Sequence, residues 1–140
     1  MMQARLRRYS PLALSLSALA MLFLACAALS ALEAGKTVTD KDNGTAVHLK
    51  TGEMLEVRLG SNPSTGFAWY IMKGSTTLLK LTSQSQAGPP NNGMVGQPVV
   101  QIFNFKAVDK GSDDLMLHYV RSWEAPKPDD KQFILHVTVE

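Results

Sequence analysis

Three histidines are the side chains of this 140-residue sequence best suited to hold a metal ion or move a proton. His48, His118 and His136 all fall in segments predicted to be strands, and no two of them have the close spacing of a metal motif such as HExxH. No GxSxG nucleophile motif is present, and the single cysteine, Cys26, lies in an apolar N-terminal segment. We therefore expect no metal, no cofactor and no enzymatic activity, with His118 half-buried in its strand.

A second kind of chemistry is recognition by a preformed loop, and residues 61–70, SNPSTGFAWY, have the composition for it. Pro63 fixes its own φ and pushes Asn62 toward an extended conformation, while Gly66 supplies a positive φ where the turn needs one. Asn62 can also hydrogen-bond groups two residues further on. The result is a stiff loop with a small tip, which loses little entropy on docking. The alternative is a plain hairpin connection that binds nothing. Trp69, on the strand that follows, is predicted to be a core residue in either case.

Two further loops carry residues suited to contact a partner. Arg121 and Trp123 follow the end of a predicted strand, and both residue types are enriched in interface hot spots. Trp123 either projects from the fold or folds back over its edge. Met94 and Val95 stand between glycines in the long polar loop Gln84–Pro98, where they either contact a partner or turn inward. Loops that share one end of a β-sandwich form a single surface.

The segments that must position these loops alternate between apolar and polar residues, with the period of two that marks a half-buried strand. In one of them Leu55, Val57 and Leu59 point one way, and Glu56 and Arg58 point the other. The predicted strands are 45–50, 54–59, 67–72, 78–81, 99–108, 115–120 and 133–139. Short strands between turn signals predict an all-β fold, an immunoglobulin-like antiparallel β-sandwich of about seven strands.

The first 34 residues differ in composition from the rest. A basic start precedes an apolar run from Pro11 to about Leu32, and small residues crowd its end, as in a secretory signal. The run is also long enough to span a bilayer. We expect residues 1–34 to be a signal peptide or a membrane anchor. Residues 35–140 then form one exported domain, periplasmic or secreted, which meets a membrane only through an uncleaved N-terminus or one lipidated at Cys26.

The charge of the chain excludes one class of partner. The formal net charge is +2, but from Gly35 onward 11 Lys and Arg balance 11 Asp and Glu. A neutral domain lacks the basic surface that binding to nucleic acid requires. Without a cysteine, the domain must be stabilised by an apolar core, which roughly 105 residues can supply. We expect it to be a monomer.

Taken together, the three loops resemble the motifs of chagasin-type inhibitors of papain-like cysteine peptidases, a family with an immunoglobulin-like fold. Its motifs are, in order, Asn-Pro-[small]-Thr-Gly-[aromatic], Gly-x-Gly-Gly and Arg-Pro-Trp. Asn62–Phe67 matches the first motif in full, and Gly93–Gln97 stands in the place of the second without its glycine pair. Arg121–Trp123 matches the third, with Ser122 in place of proline. The resemblance covers about residues 50–139.

This resemblance implies a reversible inhibitor, without a covalent bond, whose loops 62–67, 93–98 and 121–124 form a wedge across the active-site cleft of a papain-like cysteine peptidase. The first loop would enter at the catalytic cysteine, with Phe67 at its base, and the other two loops would grip the flanks. Ser122 would leave the third loop freer than proline does. The residues that the resemblance assigns to peptidase binding are Asn62, Pro63, Ser64, Thr65, Gly66, Phe67, Met94, Val95, Gly96, Arg121 and Trp123. The alternative function is a non-inhibitory binding or adhesion module of the cell envelope.

Overall fold

The computed structural model describes residues 35–88 and 96–140 and contains eight β-strands in two four-stranded sheets. One sheet has the order β1-β3-β6-β5 and the other β2-β8-β7-β4. The strands are β1 (Lys36–Thr39), β2 (Ala46–Leu49), β3 (Met54–Ser61), β4 (Phe67–Ile71), β5 (Leu79–Ala87), β6 (Val99–Ala107), β7 (Gly111–Arg121) and β8 (Lys131–Val139). Two short 3-10 turns, Asp40–Asp42 and Pro63–Thr65, are the helical segments of these ranges. None of the described helices is long and apolar enough to cross a membrane.

The predicted all-β sandwich is confirmed, with one strand more than expected and with mixed sheets. The edge strands β1 and β2 have four residues each and pair in parallel with β3 and β8, while the other pairs are antiparallel. β1 is absent from the predicted strands because it buries only Val38 and so shows no alternation. The chain crosses from one sheet to the other between β1 and β2, which gives each sheet a parallel edge.

β5 extends further than its sequence pattern indicates. The long loop predicted from Gln84 begins only after Ala87, because residues 84–87 pair with β6 in regular register beyond a bulge between Leu81 and Ser83. Nearly every side chain of β5 is exposed, so the strand has no apolar face to produce a period of two. Its backbone hydrogen bonds to β6, and not burial, keep it extended.

The core lies between the two sheets and is built from the inward faces of their strands. Leu55, Val57 and Leu59 are fully buried, as their alternation predicts, and Trp69 is 1% exposed. The other buried apolar side chains of the described residues are Val38, Val47, Leu49, Leu79, Phe103, Phe105, Ala107, Leu115, Leu117, Phe133, Leu135, Val137 and Val139. All of these side chains lie between residues 38 and 139.

One polar side chain in the core connects the two sheets. Gln101 of β6 is 2% exposed, and its Oε1 accepts a hydrogen bond from the backbone N–H of Trp69 in β4 at 2.8 Å. Its Nε2 donates to the Trp69 carbonyl at 3.4 Å, and the Trp69 indole N–H donates to the Gly60 carbonyl at 2.9 Å. Buried amide groups need such partners. These bonds tie the edge strand β4, which carries the first loop, to the opposite sheet.

Candidate functional site

The strand directions bring the three candidate loops to one end of the sandwich, which we call the loop end. β3 runs into the first loop, residues 62–66, and β7 runs into the third loop, residues 122–130. β5 ends and β6 begins at the same end, on either side of the second loop, residues 88–98. The register places Phe67 opposite Arg121 and Ser61 opposite Val99. The bases of the three loops are therefore neighbours.

The first loop is closed by its own hydrogen bonds. The Thr65 N–H donates to the Asn62 carbonyl at 3.1 Å and the Gly66 N–H to the Pro63 carbonyl at 3.0 Å, which forms a 3-10 turn. The hydroxyls of Ser64 and Thr65 donate to Asn62 Oδ1 and the Asn62 carbonyl, each at 2.6 Å. Gly66 ends the turn with a φ of +79°, in the left-handed region that favours glycine. These bonds account physically for the predicted stiffness.

The tip of the first loop is exposed, whereas its base rests on aromatic rings. Residues 63–65 face solvent, and the Asn62 N–H donates to the Tyr119 hydroxyl at 2.9 Å. The Tyr119 ring stacks on Phe67, with 5.3 Å between centroids, and contacts Trp69 at 5.1 Å. A single tyrosine of β7 thus supports the loop from below and connects it to the buried tryptophan.

Arg121 joins the third loop to the first. Its Nε donates to the Thr65 carbonyl at 3.0 Å, and its guanidinium carbon lies 4.4 Å from the centroid of the Phe67 ring, within cation–π range. Its Nη1 donates to Glu124 Oε1 at 3.0 Å, and Lys127 lies 3.5 Å from the other oxygen of that carboxylate. The hydrogen bond from Arg121 holds the pKa of Glu124 below its ordinary value, and the charge of Lys127 acts in the same direction.

Trp123 projects from the third loop and also touches the first. Its side chain is 70% exposed, yet its indole lies so close to Gly66 that a Cβ at that position would stand 2.3 Å from Cη2. No side chain other than hydrogen fits there. The structure therefore combines the two predicted alternatives, because the ring leaves the sandwich edge but rests on the backbone of the neighbouring loop.

The described part of the second loop also approaches the first. Gly96 has a φ of +87°, and a Cβ built on it would lie 3.7 Å from Ser64 Oγ. Met94 and Val95, the other two residues predicted for this loop, lie outside the described residues. The geometry thus brings together the predicted residues of the first and third loops, with Gly96 beside them.

The histidines take no part in this surface. His48 and His136 are exposed, and His136 Nδ1 lies 2.6 Å from Asp114 Oδ1. His118 is half-buried, as predicted. Within residues 35–88 and 96–140, no three His, Cys, Asp or Glu side chains form a group that could hold a metal ion.

Three residues that support the loop end are missing from the predicted site. Tyr119 and Glu124 flank the Arg-Ser-Trp motif, and their roles depend on contacts across loops that the sequence does not show. Gln101 carries a signal, because it is the one polar residue at an inward position shared with Phe103 and Phe105. A polar side chain in an apolar alternation indicates a buried hydrogen-bond partner.

The fold and this end of it define an immunoglobulin-like sandwich that presents short, internally braced loops, the architecture of a loop-presenting binding domain. The model of the chagasin family peptidase inhibitors, family I42, matches residues 48–137. The chain belongs to that family, which consists of peptidase inhibitors and not of enzymes. The resemblance found in the sequence and the expectation that the chain is not an enzyme are thereby confirmed.

Individual relatives agree with this assignment. The chain is 31% identical over 103 residues to chagasin of Trypanosoma cruzi, which covers 71% of this chain and 94% of that protein. It is 30% identical over 106 residues to amoebiasin-2 of Entamoeba histolytica, with coverages of 76% and 86%. The crystal structure of the cysteine protease inhibitor EhICP2 from Entamoeba histolytica matches with a TM-score of 0.65 at 27% identity, over 75% of this chain and 95% of that one.

A more distant solved structure shares the fold. PbICP-C, solved in complex with falcipain-2, matches with a TM-score of 0.53 at 19% identity, over 76% of this chain and 100% of that one. At this identity the likeness concerns the arrangement of strands alone.

Proposed function

We propose that residues 35–140 form a reversible inhibitor of papain-like cysteine peptidases that blocks the active-site cleft with three loops. The first loop, Asn62–Phe67, enters the cleft. Met94, Val95 and Gly96 lie along one flank, and Arg121 and Trp123 along the other. Family membership supports the inhibitory role, and the match at 27% identity to EhICP2, a cysteine protease inhibitor, supports a cysteine peptidase as the target.

The observation that carries the proposal is the closed and exposed first loop. Its tip is narrow, and its N–H groups at Thr65 and Gly66 are already bonded inside the loop. The Thr65 carbonyl accepts a bond from Arg121. A peptide that binds as an added strand needs these groups free and its backbone extended. The loop therefore fills a cleft without taking up the conformation of a substrate, and it blocks the peptidase without being cut.

The test is a titration of the domain against papain, comparing Thr65→Arg with Thr77→Arg. Both positions are exposed, but residue 77 lies at the opposite end of the sandwich. Bulk at the tip keeps the loop out of the cleft, so we expect Thr65→Arg to weaken inhibition by about 100-fold or more, the size of a hot-spot loss. Thr77→Arg should inhibit like the wild type, and both variants should remain folded, which a cooperative thermal unfolding transition shows.

Full inhibition by Thr65→Arg would exclude the first loop as the wedge. A folded wild-type domain that does not inhibit papain at micromolar concentration would exclude this peptidase class as the target. Mass spectrometry after prolonged incubation should find the domain intact.

We also propose that residues 1–34 direct export and that the domain acts in the periplasm or outside the cell. The basic start and the apolar run of this segment support the proposal. The intact mass of the protein recovered from expressing cells tests it, since cleavage, retention and lipidation at Cys26 each give a different mass. A full-length mass in the cytosolic fraction would contradict export.

A further inference from the structure

The third loop begins with a turn that is closed twice by the same two residues. The Glu124 N–H donates to the Arg121 carbonyl at 3.2 Å, which makes residues 121–124 a β-turn. The side chains of these residues also meet, since Arg121 Nη1 lies 3.0 Å from Glu124 Oε1. Ser122 and Trp123 are the central residues of this turn, and both are exposed.

Few other contacts hold Trp123 within the described residues. Within the described residues its indole N–H makes no hydrogen bond, and its side chain stays 70% exposed despite the contact with Gly66. The direction of the ring is therefore set by the turn from which it projects. Ser122 does not restrict the backbone of this turn as a proline would.

Arg121 is held in place by its contacts with the first loop. Its Nε is bonded to the Thr65 carbonyl, and its guanidinium lies over Phe67. Glu124 Oε1 accepts a hydrogen bond from Arg121 Nη1, and Glu124 Oε2 lies 3.5 Å from the Nζ of Lys127, three residues further along the loop. Glu124 is therefore the residue that attaches the turn to Arg121, which in turn bonds the first loop.

From these contacts we propose that Glu124 is a positioning residue: through Arg121 it fixes the turn 121–124 against the first loop and presets the direction of Trp123. Its effect on inhibition rests on the proposed function, whereas its effect on Trp123 does not. An exposed ion pair contributes little to global stability. The Arg121–Glu124 pair instead raises the fraction of molecules whose Trp123 already has the binding orientation. The apparent affinity scales with that fraction.

The chain contains a matched control for this proposal. Glu56 and Arg58 of β3 form an ion pair with the same 3.0 Å separation, and the exposures of the acidic side chains are 32% for Glu56 and 33% for Glu124. The Glu56 pair lies on β3, and no hydrogen bond or ion pair joins it to the described residues of the three loops. Glu56→Gln and Glu124→Gln therefore remove equivalent charges, and only the second one removes the proposed attachment.

The direct measurement is ¹⁵N relaxation of the Trp123 indole N–H in the free domain, assigned by its loss in Trp123→Phe. The Trp69 indole, bonded to the Gly60 carbonyl, is the rigid internal reference. We expect the order parameter of Trp123 to fall below about 0.6, the range of flexible groups, in Glu124→Gln. It should stay at the wild-type value in Glu56→Gln, with the Trp69 signal unchanged in both variants. An unchanged Trp123 order parameter in Glu124→Gln would overturn the proposal.

The second measurement is the inhibition constant against papain. Glu124→Gln should weaken inhibition by roughly 3- to 10-fold, the change expected when the competent fraction falls to about a tenth to a third, while Glu56→Gln inhibits like the wild type. If the wild type does not inhibit papain but Trp123 loosens in Glu124→Gln, the positioning role holds and the proposed function fails. Equal potency of wild type and Glu124→Gln, with a wild type that inhibits, would show that the positioning has no role in binding.

Discussion

The two ends of the sandwich are held together in different ways. At the end opposite the loops, bonds between backbone groups connect the turns to their neighbours: the Thr51 N–H donates to the Glu140 carbonyl, the Gly52 N–H to the Ala107 carbonyl, and the Val108 N–H to the Leu78 carbonyl. The side chains of Thr51, Ser75 and Thr76 add bonds to this backbone framework. At the loop end, the decisive bonds come from the side chains of Asn62, Ser64, Thr65, Tyr119, Arg121 and Glu124. Backbone bonds tolerate most substitutions, whereas side-chain bonds do not. The shape of the loop end is thus set residue by residue, and variants at both ends can test the difference.

The largest difference between the ends should come from their glycines. Gly66 and Gly74 both have positive φ, at +79° and +91°, but only at Gly66 would a Cβ collide with another residue, Trp123. Alanine at either position strains the backbone by about 1–2 kcal/mol. Gly66→Ala must in addition displace the indole, and we expect it to lose about 100-fold in inhibition, as for a hot-spot residue. Gly74→Ala should lose stability in urea denaturation but keep its potency; equal potency of both variants would contradict the prediction.

The next effect concerns the hydrogen bonds by which Gln101 ties the two sheets together below the loop end. Gln101→Leu leaves the Trp69 N–H without its partner, and an orphaned buried donor costs about 1–3 kcal/mol of unfolding free energy. Gln86→Leu is the control, because Gln86 is the cross-strand neighbour of Gln101 on β5 and is exposed. Chemical denaturation measures the free energy of unfolding of both variants. A Gln101→Leu domain as stable as the wild type would show that the tie is dispensable.

A smaller effect follows from the support beneath the first loop. Tyr119→Phe keeps the aromatic stack on Phe67 but removes the hydroxyl that accepts the Asn62 N–H. We expect a loss of about 1 kcal/mol in binding, or roughly fivefold, the usual net value of one hydrogen bond. Tyr70→Phe, on the exposed part of β4, should be neutral in the same inhibition assay. Equal inhibition constants for the two variants would show that the Tyr119 hydroxyl does not support the first loop.

The smallest effect is a dependence on pH. Because Arg121 lowers the pKa of Glu124 below the ordinary 4.5, the carboxylate stays charged, and the pair intact, as the pH falls toward that value. The Arg121–Glu124 pair stabilises the turn 121–124 fully above pH 4.5. This stabilisation is lost as the pH falls through the lowered pKa of Glu124 in the folded domain. The Trp123 indole signal should therefore titrate with a midpoint below 4.5 in the wild type and not at all in Glu124→Gln. A midpoint at or above 4.5 would contradict the lowered pKa.

The sequence predicts most strands of the sandwich because burial of one strand face produces a local alternation of apolar and polar residues. Leu55, Val57 and Leu59 alternate since each second residue faces the core, and Trp69 stands out as a core anchor for the same reason. β5 breaks the pattern because it is exposed on both faces, so its extent is visible only in its pairing with β6. Strands held by pairing alone leave little trace in hydrophobicity.

The site is predictable in its residue types but not in its contacts. Proline, glycine and asparagine in residues 62–66 indicate a stiff turn through local conformational preference. The bond from Arg121 to Thr65 spans 56 positions, and the contact of Trp123 with Gly66 depends on how β4 and β7 pair. No local rule specifies either contact. Glu124 escapes notice for the same reason, as its importance comes from the arginine it holds.

The inward bonds of the first loop also determine what a partner meets. The hydroxyls of Ser64 and Thr65 both donate their protons to Asn62, so a partner meets these two hydroxyls as hydrogen-bond acceptors and not as donors. A partner that covers the tip must therefore offer hydrogen-bond donors to these oxygens, because an acceptor buried without a donor costs binding free energy.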